Sequence, residues 1–135
     1  MNYVLDTSVT MAWLFEDEAT AHTERLLDRL QTDEALVPSL WRYEVGNVLV
    51  VAERRKRISE AQGRRFAELL DSLPIHISDP HTPALWGGAV IAARTHKLSV
   101  YDGAYLDLAM REGASLATLD KALKAAAKKS GVDIL

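Results

Sequence analysis

The sequence contains no cysteine, so disulfide bonds and a cysteine-ligated zinc site are excluded. A chain without cysteine suits a reducing compartment, and we expect the protein in the cytoplasm. The sequence also lacks any run of about 18 apolar residues, and its N-terminus has no basic segment followed by an apolar core. These two absences predict a protein with no membrane span and no signal peptide.

An excess of positive charge is missing as well. The 135 residues carry a formal net charge of -3, and the pI is near 5.8. A protein that coats nucleic acid broadly would be basic, so the composition gives no support for that class. Hydrophobic residues make up 48% and charged residues 26%, which excludes a disordered chain. No repeat, low-complexity tract or linker divides the sequence, so we expect one domain over residues 1–135.

A short run of strand-forming residues, Tyr3 to Leu5, opens the chain and stops at Asp6. Such a run, apolar throughout and ended by polar residues, is typical of a buried strand in a parallel sheet. Thr7 and Ser8 are suitable N-caps for the apolar helix pattern that follows. Asp6 is therefore expected where a strand gives way to a helix, which is the edge of an α/β sheet where ligands collect.

Strand and helix patterns alternate along the rest of the chain. Further strands are predicted at four short apolar stretches, residues 35–37, 75–77, 115–118 and 132–135. Residues 98–101 read as a short extended piece, and the helix before them is expected to start at Thr82 and Pro83. This alternation predicts an α/β fold in which helices cover both faces of a parallel sheet.

Four acidic residues fall at comparable places on this map. Asp6 follows the first strand, Glu44 lies early in the helix after the second, Asp102 opens the helix after Tyr101, and Asp120 follows residues 115–118. Carboxylates gathered at one sheet edge raise one another's pKa unless a cation lies among them. Oxygen ligands suit hard divalent cations, above all Mg²⁺ and Mn²⁺. Because such an ion binds phosphate and acidifies water, the pattern indicates chemistry on a phosphodiester.

The same residues allow other interpretations. Aspartate at a strand–helix junction is a common helix cap, so spacing alone leaves a purely structural role open. A haloacid dehalogenase-like phosphatase also begins with a strand ending in Asp, but it needs a second acid where this chain has Ser8. A receiver-type binding module needs an acidic pair near the first strand, and this chain has one acid there. Asp107 lies about 140° around the helix from Asp102 and is left out of the predicted site.

The acid motifs also resemble those of a known family. They are Asp6-Thr7-Ser8, Glu44 within a helix, Tyr101-Asp102-Gly103-x-Tyr105 and Thr118-Leu119-Asp120. In their order and separation they are similar to the motifs of PIN-domain nucleases, and the length is similar to that of VapC-type toxins of bacterial toxin–antitoxin pairs. The resemblance implies a five-stranded parallel sheet with helices on both faces and an endoribonuclease that depends on Mg²⁺ or Mn²⁺. It also implies a cognate antitoxin that inserts near the acids.

Carried over residue by residue, the resemblance implies a catalytic and metal-binding role for the four acids, Asp6, Glu44, Asp102 and Asp120. Ser8 and Thr118 match hydroxyl groups that orient the carboxylates. Gly103 departs from the family pattern, in which Ala more often follows the acid, and we expect it to loosen the helix start without removing a ligand. A PIN domain that has kept the fold but works through protein contacts is the alternative.

Three further features of the sequence support predictions: the apolar helix patterns, one basic run and the tryptophans. The apolar content of the first, third and fourth helix patterns is high for so small a domain, which favours a homodimer. The basic run at residues 54–57 is expected to be a solvated helix end, since cations favour a helix C-terminus. Contacts to RNA phosphates or to an acidic antitoxin segment are its functional alternatives. Trp13, Trp41 and Trp86 lie on apolar helix patterns and are expected in the core.

Overall fold

Four parallel strands form the centre of the computed structural model, which describes residues 1–81 and 84–135. The strands are β1 Asn2–Leu5, β2 Glu34–Val37, β3 Ile75–Ile77 and β4 Ser115–Ala117. Their order across the sheet is β3-β2-β1-β4, and each neighbouring pair is parallel. The predicted α/β fold with a parallel sheet is confirmed.

Helices connect the strands and cover the sheet. Within the described residues they are α1 Thr7–Ala12, α2 Ala21–Asp28, α3 Leu40–Arg54, α4 Glu60–Ser72, α5 Ala84–His96, α6 Val100–Glu112 and α7 Lys121–Lys129. The start signal predicted at Thr82 and Pro83 lies outside the described residues. No helix in the described part of the chain is long and apolar enough to cross a membrane.

The central strand β1 is buried on both of its faces. Tyr3, Val4 and Leu5 have no exposed surface, although consecutive side chains of a strand point to opposite faces. Both faces of the sheet are therefore covered at β1, as expected for an inner parallel strand, whereas His76 and Ile77 of the edge strand β3 are exposed. The helix α6 packs against β1, β2 and β4 and thus spans most of the sheet.

The prediction of a fifth strand at residues 132–135 is wrong. This segment makes one isolated parallel bridge, between Ile134 and Leu116. Hydrogen bonds run from Leu116 N to Asp133 O at 2.8 Å and from Leu135 N to Leu116 O at 3.0 Å. After the turn at Gly131, the segment meets β4 at a single residue, which is too short a contact for a ladder. The sheet formed by the described residues therefore has four strands.

The start of α6 also differs from the prediction. Val100 and Tyr101 are helical rather than extended, because Ser99 caps the helix. The Ser99 hydroxyl accepts a hydrogen bond from the backbone N–H of Asp102 at 3.0 Å. Asp102 is therefore the third residue of the helix instead of its N-cap, and its carboxylate is not needed for capping.

The helices α5 and α6 pack unusually closely at two glycines. A Cβ atom on Gly103 would lie 2.5 Å from the carbonyl oxygen of Ala89 and 3.2 Å from the backbone nitrogen of Ala93. A Cβ atom on Gly88 would collide with the carboxylate of Asp107. The glycine that departs from the family pattern thus permits a helix–helix contact that an alanine would obstruct.

The three tryptophans do not all lie in the core. The indole N–H of Trp41 is buried and donates to Thr10 Oγ1 at 3.0 Å, and that of Trp13 donates to the Thr23 carbonyl at 2.8 Å. Trp86 is 73% exposed, so its predicted core position is wrong. An apolar helix pattern does not say which face the neighbouring helices will cover.

Candidate active site

Asp6 follows β1 directly and occupies the N-cap position of α1, with an extended backbone. Its side chain makes no capping hydrogen bond. Instead, Asp6 Oδ2 accepts hydrogen bonds from Ser8 Oγ and from Thr118 Oγ1, each at 2.7 Å. The helix begins at Thr7, so the expectation that Thr7 and Ser8 act as N-caps is wrong, and so is the capping role considered for the Asp6 side chain.

The hydroxyls of Ser8 and Thr118 connect the ends of β1 and β4. Ser8 Oγ lies 3.4 Å from Thr118 Oγ1 and accepts from Leu119 N at 2.9 Å. Thr118 Oγ1 accepts from Asp120 N at 3.1 Å. Because both hydroxyls donate to one oxygen of Asp6, they restrict the rotation of its carboxylate.

Asp120 combines a capping contact with a place at the same edge. It is the N-cap of α7, and its Oδ1 accepts from Leu123 N at 2.9 Å. The capping interpretation is therefore correct for this oxygen. The other oxygen, Oδ2, accepts no hydrogen bond from residues 1–81 or 84–135.

Glu44 approaches the cluster from α3, where its carboxylate is half-buried. Its Oε1 accepts from the Tyr105 hydroxyl at 2.6 Å and from Thr7 Oγ1 at 3.1 Å, and the two hydroxyl oxygens are 2.9 Å apart. Burial raises the pKa of Glu44, the two hydrogen bonds oppose that rise, and the charge of Asp6 adds to it. Burial also raises the pKa of Tyr105 above its usual range, so this hydroxyl stays protonated and can donate.

The sequence does not predict the hydrogen bonds that Thr7 and Tyr105 donate to Glu44. Both lie inside the acid motifs, where the sequence predicts an N-cap at Thr7 and no role for Tyr105. The available signal was the spacing of Tyr105, which follows Asp102 by three residues. Residues three apart in a helix lie on one side of it, so a polar group at Tyr105 is expected on the side of the acid.

Asp102 shows that the four acids lie close enough to influence one another. Its pKa is raised to about 6, first by burial and then by the charges of Asp6, Asp120 and Glu44. A carboxyl group whose pKa is higher in the folded protein loses its stabilising effect as the pH rises through that value. Ionised Asp102 therefore opposes folding at neutral pH unless a cation compensates its charge.

The carboxylates at this sheet edge suit a hard divalent cation better than a structural zinc ion. Among residues 1–81 and 84–135, no three His, Cys, Asp or Glu side chains come together as a metal-enclosing group. This arrangement does not match a closed structural zinc site, which takes four protein ligands. It fits a hard divalent cation that binds through one or two carboxylates and keeps several of its waters.

Comparison with known proteins identifies the family. Residues 3–129 match the PIN domain. The chain belongs to the PIN-domain family. The resemblance based on the acid motifs is thereby confirmed, and the nucleases of this family generally use divalent metal ions.

Two proteins of Pyrobaculum aerophilum are similar to this PIN domain. Ribonuclease VapC3 of Pyrobaculum aerophilum is 31% identical over 127 residues, which are 91% of this chain and 92% of that protein. The crystal structure of PAE2754, from the same organism, has a TM-score of 0.72 at 25% identity and covers 99% of this chain and 83% of its own.

Two further solved structures share the fold at lower identity. VapBC2 of Rickettsia felis, bound to a DNA fragment from its promoter, has a TM-score of 0.70 at 14% identity, and the match covers 100% of this chain and 98% of that one. FitAcB of Neisseria gonorrhoeae has a TM-score of 0.66 at 18% identity, with coverage of 100% and 96%. At these identities the likeness extends to the fold alone.

The basic run of this PIN domain is partly used within the fold. Arg57 forms ion pairs with Asp17 at 2.6 Å and with Glu18 at 2.9 Å, and its guanidinium carbon lies 3.6 Å from the centre of the Phe15 ring. All four residues of the run, 54–57, are exposed, as expected for a solvated helix end. Arg57, which lies in the turn after α3, therefore contacts the loop after α1 while its own side chain stays exposed.

Proposed function

We propose that this PIN domain is a metal-dependent endoribonuclease that cleaves RNA phosphodiester bonds. The observation that carries the proposal is the gathering of four carboxylates at the sheet edge, where burial and then the charges of Asp6, Asp120 and Glu44 raise the pKa of Asp102 to about 6. The 31% identity to Ribonuclease VapC3 supports RNA as the substrate. The same identity and the resemblance to VapC-type toxins support a toxin role with a cognate antitoxin as partner, and the fold shared with VapBC2 agrees with it.

We assign the metal site and the catalytic role to the same four acids, Asp6, Glu44, Asp102 and Asp120, with Mg²⁺ or Mn²⁺ as the ion. One or two of these carboxylates would hold the ion directly, and the others would hold it through its waters. When bound, such an ion would bind a phosphate oxygen of the RNA and lower the pKa of an attacking water. Ser8 and Thr118 orient Asp6 through one of its oxygens, and the N–H of Leu123 holds Asp120 in the same way. Each of these two acids keeps an oxygen available for a cation.

Metal binding is expected to stabilise the folded chain at neutral pH. A cation removes the repulsion among the four acids, and a ligand that binds the native state alone adds about 2.7 kcal/mol at a concentration 100 times its Kd. Thermal denaturation in millimolar Mn²⁺ should therefore show a midpoint several degrees above that in EDTA. The shift should shrink in Asp102→Asn and persist in Asp107→Asn, because Asp107 pairs with Arg111 at 2.9 Å. Equal midpoints for the wild type in Mn²⁺ and EDTA would contradict a metal site.

We also propose a homodimer, as the apolar helix patterns predicted. The apolar residues of α1 are buried within the fold, so the surface available for a second copy lies on the later helices. Tyr43, Val50 and Leu69 are the large exposed apolar side chains of α3 and α4. Light scattering at micromolar concentration should give twice the chain mass of 14.9 kDa, and Val50→Glu should lower it. A wild-type mass of 14.9 kDa would refute the dimer.

A further inference from the structure

Glu44 and Asp6 are held in the same manner, each through one carboxylate oxygen. Oδ2 of Asp6 accepts two hydroxyl hydrogen bonds, and Oε1 of Glu44 also accepts two, from Tyr105 and Thr7. The second oxygen of each acid accepts no hydrogen bond from residues 1–81 or 84–135. In the described part of the chain, the hydroxyl pairs thus occupy one oxygen of each acid and leave the other without a hydrogen bond.

We infer that Tyr105 is a positioning residue, whose hydroxyl holds the Glu44 carboxylate so that Oε2 stays available to the catalytic cation. The inference rests on the proposed metal site and extends it to a residue that cannot itself touch RNA. Tyr105 is 0% exposed, so neither its ring nor its hydroxyl can reach a substrate at the surface. Any effect of this hydroxyl on catalysis must therefore pass through Glu44 or Thr7.

The hydrogen bond between Tyr105 and Glu44 joins parts of the chain that are distant in sequence. Glu44 lies on α3 and Tyr105 on α6, 61 residues later, while Thr7 is the first residue of α1. A glutamate has three side-chain torsions and loses considerable rotamer freedom when it is ordered. Because the Tyr105 ring is fixed by complete burial, its hydroxyl can impose one position on the flexible Glu44 side chain.

The two hydroxyls do not contribute equally. Three oxygen–oxygen contacts link Glu44, Tyr105 and Thr7, but the two hydroxyl groups supply only two protons. The tyrosine–carboxylate contact of 2.6 Å has the length of a charge-assisted hydrogen bond, so the Tyr105 proton belongs to it. The Thr7 proton is shared between Glu44 Oε1 at 3.1 Å and Tyr105 Oη at 2.9 Å. Tyr105 is therefore the stronger of the two constraints on Glu44.

Tyr105→Phe tests the inference, with Tyr3→Phe as a matched control. Both tyrosines are 0% exposed. Tyr3→Phe removes the hydrogen bond from the Tyr3 hydroxyl to the Leu26 carbonyl at 2.8 Å, and Tyr105→Phe removes the contacts of its hydroxyl with Glu44 and Thr7. Mn²⁺ affinity is measured on the full chain by isothermal titration calorimetry. Substitution of a group that orients a metal ligand typically lowers metal affinity or activity by about 10–100-fold. We expect Tyr105→Phe to weaken Mn²⁺ binding about tenfold or more, while Tyr3→Phe leaves it at the wild-type value.

The kinetics of Tyr105→Phe and the Mn²⁺ affinity of two Thr7 variants give results that general destabilisation would not reproduce. At a fixed Mn²⁺ concentration, Tyr105→Phe should lower kcat for an RNA substrate with little change in KM, and added Mn²⁺ should restore part of the loss. Thr7→Val should weaken Mn²⁺ binding less than Tyr105→Phe does, and Thr7→Ser, which keeps a hydroxyl, should restore it.

The outcomes separate this inference from the proposed function. Wild-type Mn²⁺ affinity in Tyr105→Phe, together with a loss in Asp6→Asn, would overturn the positioning role and leave the metal site intact. Equal weakening in Tyr105→Phe and Tyr3→Phe would also overturn it, because the cause would then be general destabilisation. A wild-type chain that binds no Mn²⁺ and cleaves no RNA would remove the proposed function, and the positioning role with it.

Discussion

Asp6→Asn is expected to abolish metal-dependent RNA cleavage while the chain stays folded. A metal ion contributes several kcal/mol of transition-state stabilisation, and a loss of about 4 kcal/mol corresponds to about 10³-fold in rate. The substitution removes one charge from the cluster, which weakens both the hold on the cation and the activation of water. We therefore expect a decrease in kcat/KM of about 10³-fold or more.

The fold should tolerate this change for a structural reason. The amide oxygen of Asn can take the place of Asp6 Oδ2 and accept the hydrogen bonds of Ser8 and Thr118. The charge of Asp6 also raises the pKa of Glu44 and of Asp102, so a neutral side chain relieves repulsion in the metal-free protein. Urea denaturation in EDTA should give a free energy of unfolding equal to that of the wild type or slightly higher.

Asp107→Asn provides the control for the loss of a buried aspartate. Asp107 is 8% exposed and Asp6 is 6% exposed, but Asp107 pairs with Arg111 and is not one of the charges that raise the pKa of Asp102. Cleavage of a structured RNA pool is measured with and without Mn²⁺ for both variants and the wild type. Asp107→Asn should retain activity. Unchanged cleavage by Asp6→Asn would exclude Asp6 from the site and leave a PIN domain that works by binding alone.

Gly103→Ala is expected to lower the free energy of unfolding by about 1–3 kcal/mol, the usual cost of overpacking. The new Cβ atom would lie 2.5 Å from the Ala89 carbonyl oxygen and 3.2 Å from the Ala93 nitrogen, and neither backbone atom can rotate away as a flexible side chain would. The helices α5 and α6 must therefore separate near the start of α6. Because Asp102 precedes Gly103 directly, its carboxylate should shift as well, and the stabilisation by Mn²⁺ should decrease.

Gly46→Ala is the control with the opposite expected sign. Gly46 lies within α3, and an added Cβ atom there would meet no atom of the described residues within 4 Å apart from the backbone of its own helix and its chain neighbours. Alanine is favoured over glycine inside a helix by up to about 1 kcal/mol, so this variant should be as stable as the wild type or more stable. Urea denaturation of both variants and the wild type measures the three free energies of unfolding. A Gly103→Ala protein with wild-type stability would mean that α5 can move aside without cost.

The sequence by itself determined the class of fold and the family. The apolar run of Tyr3 to Leu5, its stop at Asp6 and the repeated alternation of strand and helix patterns are local signals, because burial on a sheet dictates residue types over a few positions. The same signals placed β2, β3 and β4 and set Asp6 and Asp120 just beyond two strands. The order of the acid motifs was sufficient to indicate the PIN-domain family. The metal-binding role of these acids stays a prediction.

Only the tertiary structure decided which side chains meet. Residues 132–135 read as a strand, yet they contact β4 at one residue and form a single bridge. Gly103 read as a weak helix start, yet it is the point where α6 touches the backbone of α5. The bond between Tyr105 and Glu44 joins positions 61 residues apart. A periodic pattern specifies which face of an element is buried, but the partner across that face depends on how whole helices pack against the sheet, and no local stretch of sequence contains that information.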